Sequence, residues 1–418
     1  MASLRGVIII WLCIVVTTMC ANAQTAVEVA HWWTSKGEAR AVEVVKKAFE
    51  DQGYQWMDSA IVGGGGGTLI KRLHARVAAG SPPAAVQMFM GPNVWHWGEA
   101  NALANLDSIA KQGNWKAVLP PLINRMIQYD GHYVAVPINA HRVNWMWINP
   151  AIFKKVGVRV PQTWEQFFIC AEKIQNAGYI PLAIGGQPWQ EATLFESVLL
   201  GIGGVEFHRE AIIEQNPKAL RSQTMIKVFE TMHRIKQYTD KDTPGRDWDV
   251  ATSMVMNGQA AMQIMGDWAK GEFLAAGKKP ETDFDCVSCP GTNQIFLIDT
   301  DTIAMFSLKD KKIRAAQEKL AQIVMDPVIQ KRFNLIKGSI PARMDIQRSD
   351  FDSCAQKAMD IFRDAATNDR IVPAFSYSQA NSPDVQKVMV ELVSAHFNSN
   401  MSAKEAAKKL AALVKAAK

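Results

Sequence analysis

Beyond residue 23, the chain of 418 residues has no apolar run approaching the roughly 20 residues that a membrane-spanning helix needs. It also lacks the short signatures of common catalytic and nucleotide sites. There is no GxSxG elbow for a serine nucleophile and no HExxH for a zinc hydrolase, and the eight histidines are dispersed. Gly63 to Gly67 is a run of five glycines, but Thr68 follows it with no preceding lysine, so it fits neither a phosphate loop nor a GxGxxG dinucleotide turn. Its reading is a flexible turn that comes close to a helix or a ligand. Charge of one sign is not concentrated: 46 basic and 40 acidic residues give +6, spread through segments such as Lys309 to Lys312 and Lys404 to Lys418. Scattered charge excludes the one-sided basic face of a nucleic-acid binder. Cysteine is scarce, at six. Cys286-Val287-Ser288-Cys289 has no second CxxC and no histidine pair at metal spacing, so no metal or other cofactor is called for. One structural disulfide plus buried thiols is the simpler use of these residues. Low-complexity linkers and internal repeats are missing as well.

What is present begins with an export signal over residues 1–23. Arg5 supplies the positive end, Val7 to Val16 the apolar stretch, and Ala21-Asn22-Ala23 the small-residue cleavage site. The mature chain would start at Gln24 in an oxidising compartment, where a disulfide can persist. The remaining length exceeds the roughly 250–300 residues at which one hydrophobic core stops growing, so two lobes are expected. Ala26 to Trp33 alternates like a strand, and after Thr34 to Glu38 the residues Ala41, Val44, Val45, Ala48 and Phe49 recur at helical spacing. The same strand–loop–helix order returns along the chain, with helices over 68–79, 163–177, 194–200, 225–238, 249–257 and 311–325. Strands are expected over 84–89 and 133–137. An α/β fold with helices on both sheet faces follows. In such sheets ligands collect beyond the carboxyl ends of strands. The lysine-rich end, with Ala406, Leu410, Leu413 and Val414 interleaved, reads as an amphipathic surface helix.

That rule draws attention to a few residues. Trp32 and Trp33 end the first strand. In a regular strand adjacent side chains point to opposite faces, but at a strand-to-loop junction both indoles can enter a cleft. Indole faces suit the C–H face of a pyranose, and their N–H groups reach hydroxyls. Lys36 and Glu38 follow in the loop, Gln87 sits near a strand end, and Asp301 follows another apolar segment. Such side chains can pair with sugar hydroxyls through charge-assisted bonds. Glu38 and Asp301 could equally be read as a glycosidase pair, with nothing beyond their acidity in favour.

The chain resembles the family 1 extracellular solute-binding proteins, and most of all the glucose/mannose-binding members that serve bacterial ABC importers. The segments carrying the resemblance are 29–33 (Val-Ala-His-Trp-Trp), 136–145 (Val-Pro-Ile-Asn-Ala-His-Arg-Val-Asn-Trp), 161–165, 257–262, 266–268 and 337–341. It implies a hinged two-lobed periplasmic-binding-protein fold with the ligand cleft between lobes. It implies further that the protein is no enzyme, that its partners are a small sugar and an inner-membrane ABC permease, and that it works as a monomer. Carried over residue by residue, it places Trp32, Trp33, Glu38 and Gln87 at the sugar from the first lobe, with Trp268 stacking from the second. Of the paired indoles, Trp33 and Trp268 are expected to do the stacking. Asp301 and Lys337 would bond hydroxyls, and Asn139 and His141 would line the cleft from the first crossing segment. Two positions depart from the pattern. Phe89 stands where glucose-binding relatives tend to carry a basic or imidazole group, and the late loop 374–379 lacks their histidine, with Gln379 as its replacement. The resemblance also pairs Cys286 with Cys354 and leaves Cys170 and Cys289 free. The lobes are expected to be discontinuous: 24–140 with 299–343 in one, 141–298 with 344–418 in the other.

N-terminal sequencing of the exported protein should read from Gln24. A mature protein that retains residues 1–23 would contradict the cleavage site.

Overall fold

The structure is a computed structural model that describes residues 24–63 and 66–418, so the export signal expected over 1–23 lies outside the described residues. The chain enters on the strand Ala26–His31, whose alternating residues bury Val27 and Val29. Ser35 then caps the helix Lys36–Glu50, accepting from the Glu38 backbone while the Glu38 side chain returns to the Ser35 N–H. Ala41, Val42, Val45 and Phe49 fall on the buried stripe of that helix. Repetition of this unit gives a five-stranded sheet ordered Gln55–Ala60, Ala26–His31, Ala85–Phe89, Asp301–Met305, Ala135–Pro137. The first three strands run parallel, and Asp301–Met305 lies antiparallel between its two neighbours. This sheet is the base of one lobe.

A second sheet, ordered Asp285–Ser288, Trp145–Ile148, Ala260–Ile264, Ile180–Ala183, is the base of the other. Helices Pro188–His208, Gln223–Lys236, Pro383–Phe397 and Ala403–Ala416 pack together beside it around a separate apolar core that includes Phe195, Phe229, Val393 and Leu410. In the C-terminal helix Ala406, Leu410 and Val414 are buried, whereas Leu413 faces out.

Between the two runs a third sheet, ordered Ile340–Pro341, Asn139–Arg142, Phe296–Asp299, Ile371–Pro373. The chain leaves the first sheet at Pro137, passes through Asn139–Arg142, and joins the second at Trp145. It comes back through Phe296–Asp299 and, after Thr300 alone, enters the first sheet at Asp301. Asp299 and Asp301 therefore flank the residue at which the chain changes sheets.

Most expected helices form within a few residues of their expected ends. The helix expected over 194–200 is in fact Pro188–His208, because Pro188 fits the first turn and the helix is buried on every side from Gln190 to Leu200, polar residues included, so no periodic stripe marks its length. The strand expected over 133–137 divides into His132–Tyr133 and Ala135–Pro137. Among the described residues, no helix is long and apolar enough to cross a membrane.

Cys286 and Cys354 are joined by a disulfide that ties the second sheet to the helix Ser353–Thr367, closing a span of 68 residues. Cys170 and Cys289 are buried thiols, pushed up to about 11 and about 12 by their burial, which keeps them protonated and unreactive. In the chain-entropy description a bridge over this span stabilises by about 4 kcal/mol. Denaturant unfolding of the Cys286→Ser/Cys354→Ser double variant should show a loss of that order, and an unchanged midpoint would contradict it.

Candidate functional site

The carboxyl ends of the first-sheet strands open onto a cavity of about 280 Å³. Trp32, Glu38 and Phe89 line it from the first lobe, and Trp189, Trp248 and Trp268 from the helices beside the second sheet. His141, Asp299, Asp301 and Lys337 form its floor, where the chain crosses. The two sides also touch: Ser35 Oγ and Gly37 N donate to Glu272 Oε1 at 2.8 and 3.0 Å, joining the first helix to the helix Trp268–Ala275.

Asp301 is the best-supported group of the floor. It is 3% exposed. Its Oδ2 accepts from Asn139 Nδ2 at 2.9 Å, His141 Nε2 at 3.3 Å and Trp33 Nε1 at 3.4 Å, and its Oδ1 accepts from Gln87 Nε2 at 2.8 Å. Burial alone would raise this acid, but the bonds from His141 and Asn139, with the charges of His141 and Lys337, hold it well below the usual carboxylate range. Its partner His141 also bonds Asp267 through Nδ1. Burial opposes a charged imidazole there, and Lys337 opposes it too, yet Asp267 and Asp301 lift it to about 9. Lys337 Nζ donates to Glu38 Oε1 at 3.0 Å, and Glu38 and Asp301 raise this ammonium against the effect of burial.

Thus Trp32, Glu38, His141, Trp268, Asp301 and Lys337 line the cavity. Trp33, Gln87, Asn139 and Gln379 lie behind it. Trp33 is 1% exposed, packs edge-on against Phe333 at 5.4 Å and serves Asp301, so the indole facing the cavity from the first lobe is Trp32 instead of the expected Trp33. Both rings lie just past the strand's end at His31, and packing decides between them: Trp33 lies against His31 and Phe333, whereas Trp32 lies against Phe89 at the cavity. Gln87 is committed on both sides, accepting from Trp32 N at 3.0 Å while donating to Asp301. Gln379 donates to Asp299 and, at 3.4 Å, to Thr300 O. Both wall indoles need glycines. A Cβ at Gly66, which has φ +72°, would lie 2.8 Å from the Trp32 ring, and one at Gly266 would lie 2.2 Å from that of Trp268. At Gly66 the glycine run comes close to the Trp32 ring, where a helix or a ligand was expected.

Sequence reasoning missed several cavity residues. Trp189 and Trp248 sit in the first turns of their helices, and Tyr377 comes from a late turn within 374–379. Tyr377 joins the walls, with ring centroids 5.7 Å from Phe89, 5.4 Å from Trp268 and 5.9 Å from Trp189. Its hydroxyl lies 2.7 Å from Thr193 Oγ1. Buried Glu196, paired with His208 at 2.9 Å, fixes this turn by accepting from Phe375 N at 2.9 Å and Ser376 Oγ at 2.9 Å. At the two positions that depart from the glucose-binding pattern, the cavity is therefore faced by aromatic rings. Asp299 ends the strand before Thr300 and Asp301 begins the strand after it, and the two-residue spacing was the available signal for Asp299.

The profile of the family described as bacterial extracellular solute-binding protein matches residues 32–302. A probable sugar-binding periplasmic protein of Brucella suis biovar 1 (strain 1330) is 42% identical over 400 residues, covering 95% of this chain and 94% of that protein. One of Rhizobium meliloti (strain 1021), described in the same words, is 41% identical over 398 residues, 95% of each chain. Among solved structures, a chitin oligosaccharide binding protein superposes with a TM-score of 0.81 at 18% identity, over 94% of this chain and 99% of that one. A bacterial solute receptor with an exclusive preference for β-D-galactopyranose gives 0.80 at 17% identity over the same shares. At that identity the superpositions speak for the two-lobed α/β fold alone.

A histidine raised above its ordinary value near 6.5 lends stability that is complete below that pH and is lost as pH rises through about 9. The thermal midpoint of the protein should therefore fall across that window, and His141→Gln should lose most of the slope. An equally steep decline in the variant would contradict the pairing of His141 with Asp267 and Asp301.

Proposed function

The chain belongs to the bacterial extracellular solute-binding protein family, and from that premise we propose that it captures a monosaccharide, glucose or a related aldohexose, between its lobes in the periplasm and delivers it to an ABC permease in the inner membrane. It is a binding protein and not an enzyme. The observation that carries the sugar reading is the composition of the cavity. Indoles from both lobes, Trp32 and Trp268, face a floor where Asp301 and Lys337 are held charged. Aromatic faces take up the apolar side of a pyranose ring and charged groups take its hydroxyls. Size supports a single ring: about 280 Å³ lies at the low end of the roughly 300–1,000 Å³ usual for small-molecule sites. The two relatives named above are described as probable sugar-binding periplasmic proteins, which agrees with this reading.

The lobes are read as residues 24–140 with 299–343, and 141–298 with 344–418, hinged where the chain crosses the third sheet. Glucose is one choice within the class. The aromatic rings of Phe89 and Tyr377 favour a ligand that presents a less polar edge there, and a different or longer saccharide is the second reading.

Isothermal titration against a panel of mono- and disaccharides should find a monosaccharide that binds without product formation. Asp301→Ala should cost about 1.5–3 kcal/mol, the range for bonds to charged groups, and should reorder epimers because it reads hydroxyl direction. Trp268→Ala should weaken every pyranose alike, because stacking reads the ring. Wild-type affinities and ranking in both variants would show that the sugar sits elsewhere.

A further inference from the structure

Asp299 was not singled out by the sequence, and it differs from Asp301 in every respect but location. Both are 3% exposed, and both line the cavity floor two residues apart. Asp301 collects four side-chain donors, one of them a charged imidazole. Asp299 has one side-chain donor, the Gln379 amide, and no cationic group lies within ion-pair distance of it among the described residues. The groups facing it come from four directions. Asp301 opens the next strand after Thr300, and His141 lies opposite Asp299 in the third sheet. Asp267 and Lys337 approach beside Trp268 and Gly338, and Tyr377 and Gln379 approach from the late turn. The two cations among them are already engaged, His141 with Asp267 and Asp301, and Lys337 with Glu38. A carboxylate buried without a counter-charge is costly enough that the group keeps its proton instead.

We infer that Asp299 is a second specificity-determining residue of the cleft, donating its carboxyl O–H to an oxygen of the sugar while Asp301 accepts from a hydroxyl. This rests on the sugar-binding reading and deepens it. The floor then offers a donor and an acceptor of the same chemical type two residues apart, set by environment alone. It selects a pyranose that presents a lone pair to one and an O–H to the other. Burial, and after it the neighbouring Asp301 charge, raise Asp299 well above the usual carboxylate range, against the pull of His141 and Lys337. Affinity must accordingly fall as rising pH removes the proton, because the ionised group can only accept.

The test joins one measurement without ligand to one with it. Carboxyl carbon NMR of the ligand-free protein, with Asp299 assigned through Asp299→Asn, should show a protonated group at about pH 6, well above the ordinary titration near 3.9. An ionised Asp299 at that pH overturns the inference whatever the protein binds. Titrations with D-glucose, D-mannose and D-galactose should show wild-type binding weakening at least about tenfold once the group ionises, the effect of one hydrogen bond. Asp299→Asn keeps an N–H donor and cannot ionise, so it should bind more tightly than Asp299→Ala and lose the pH dependence. Wild-type affinity in Asp299→Ala would mean that the carboxyl serves the Gln379 amide and not the sugar, and would overturn the inference. A wild-type protein that binds none of the three sugars would count against the proposed function, while the NMR result still decides the proton.

Discussion

A carboxylate placed in the interior of a protein must be surrounded by donors, and Asp301 imposes that requirement on the whole centre of this molecule. The donors cannot come from one element. Trp33 comes from the end of the first strand, Gln87 from the third, and Asn139 and His141 from the first crossing segment. Each is fixed in turn: the amide oxygen of Gln87 holds the backbone of Trp32, and Asp267 holds the far side of His141. Satisfying one buried charge thus orients the wall indole of the first lobe and ties the crossing strand to the loop that carries Trp268.

That network lies where the chain changes sheets. The groups that meet across the cleft are of another kind. Ser35 and Gly37 reach the Glu272 carboxylate through two part-buried hydrogen bonds of the charge-assisted kind, each worth about 1.5–3 kcal/mol. A sugar that touches both walls favours the closed arrangement only by its extra contacts there, which couples capture to closure.

Much of the fold could be read from the chain because periodicity carries it. The strand–loop–helix order and the helix that begins near residue 163 have local signals. The site was legible in part, for a physical reason. Residues such as Trp268 and Lys337 were reached through the resemblance carried by segments 266–268 and 337–341, whereas Trp189, Trp248 and Tyr377 reach the cavity only through the packing of distant helices. Glu196 holds the Tyr377 turn across about 180 residues of sequence, and no local pattern announces such a contact. The exchange of roles between Trp32 and Trp33 has the same origin, since alternation says that the two differ and only packing says which faces the core. Asp299 is the converse case. Its position was visible beside Asp301, but its different chemistry arises from which of the two captured the available cations.

The account turns on where the sugar sits and what holds it. A crystal structure of the protein with the monosaccharide that binds most tightly in the titration panel is the most direct test. The account predicts one pyranose ring between Trp32 and Trp268, with hydroxyls at Asp301 and Lys337 and Trp33 still behind the cavity. A ring bound away from Asp301, or contacting one lobe only, would contradict it.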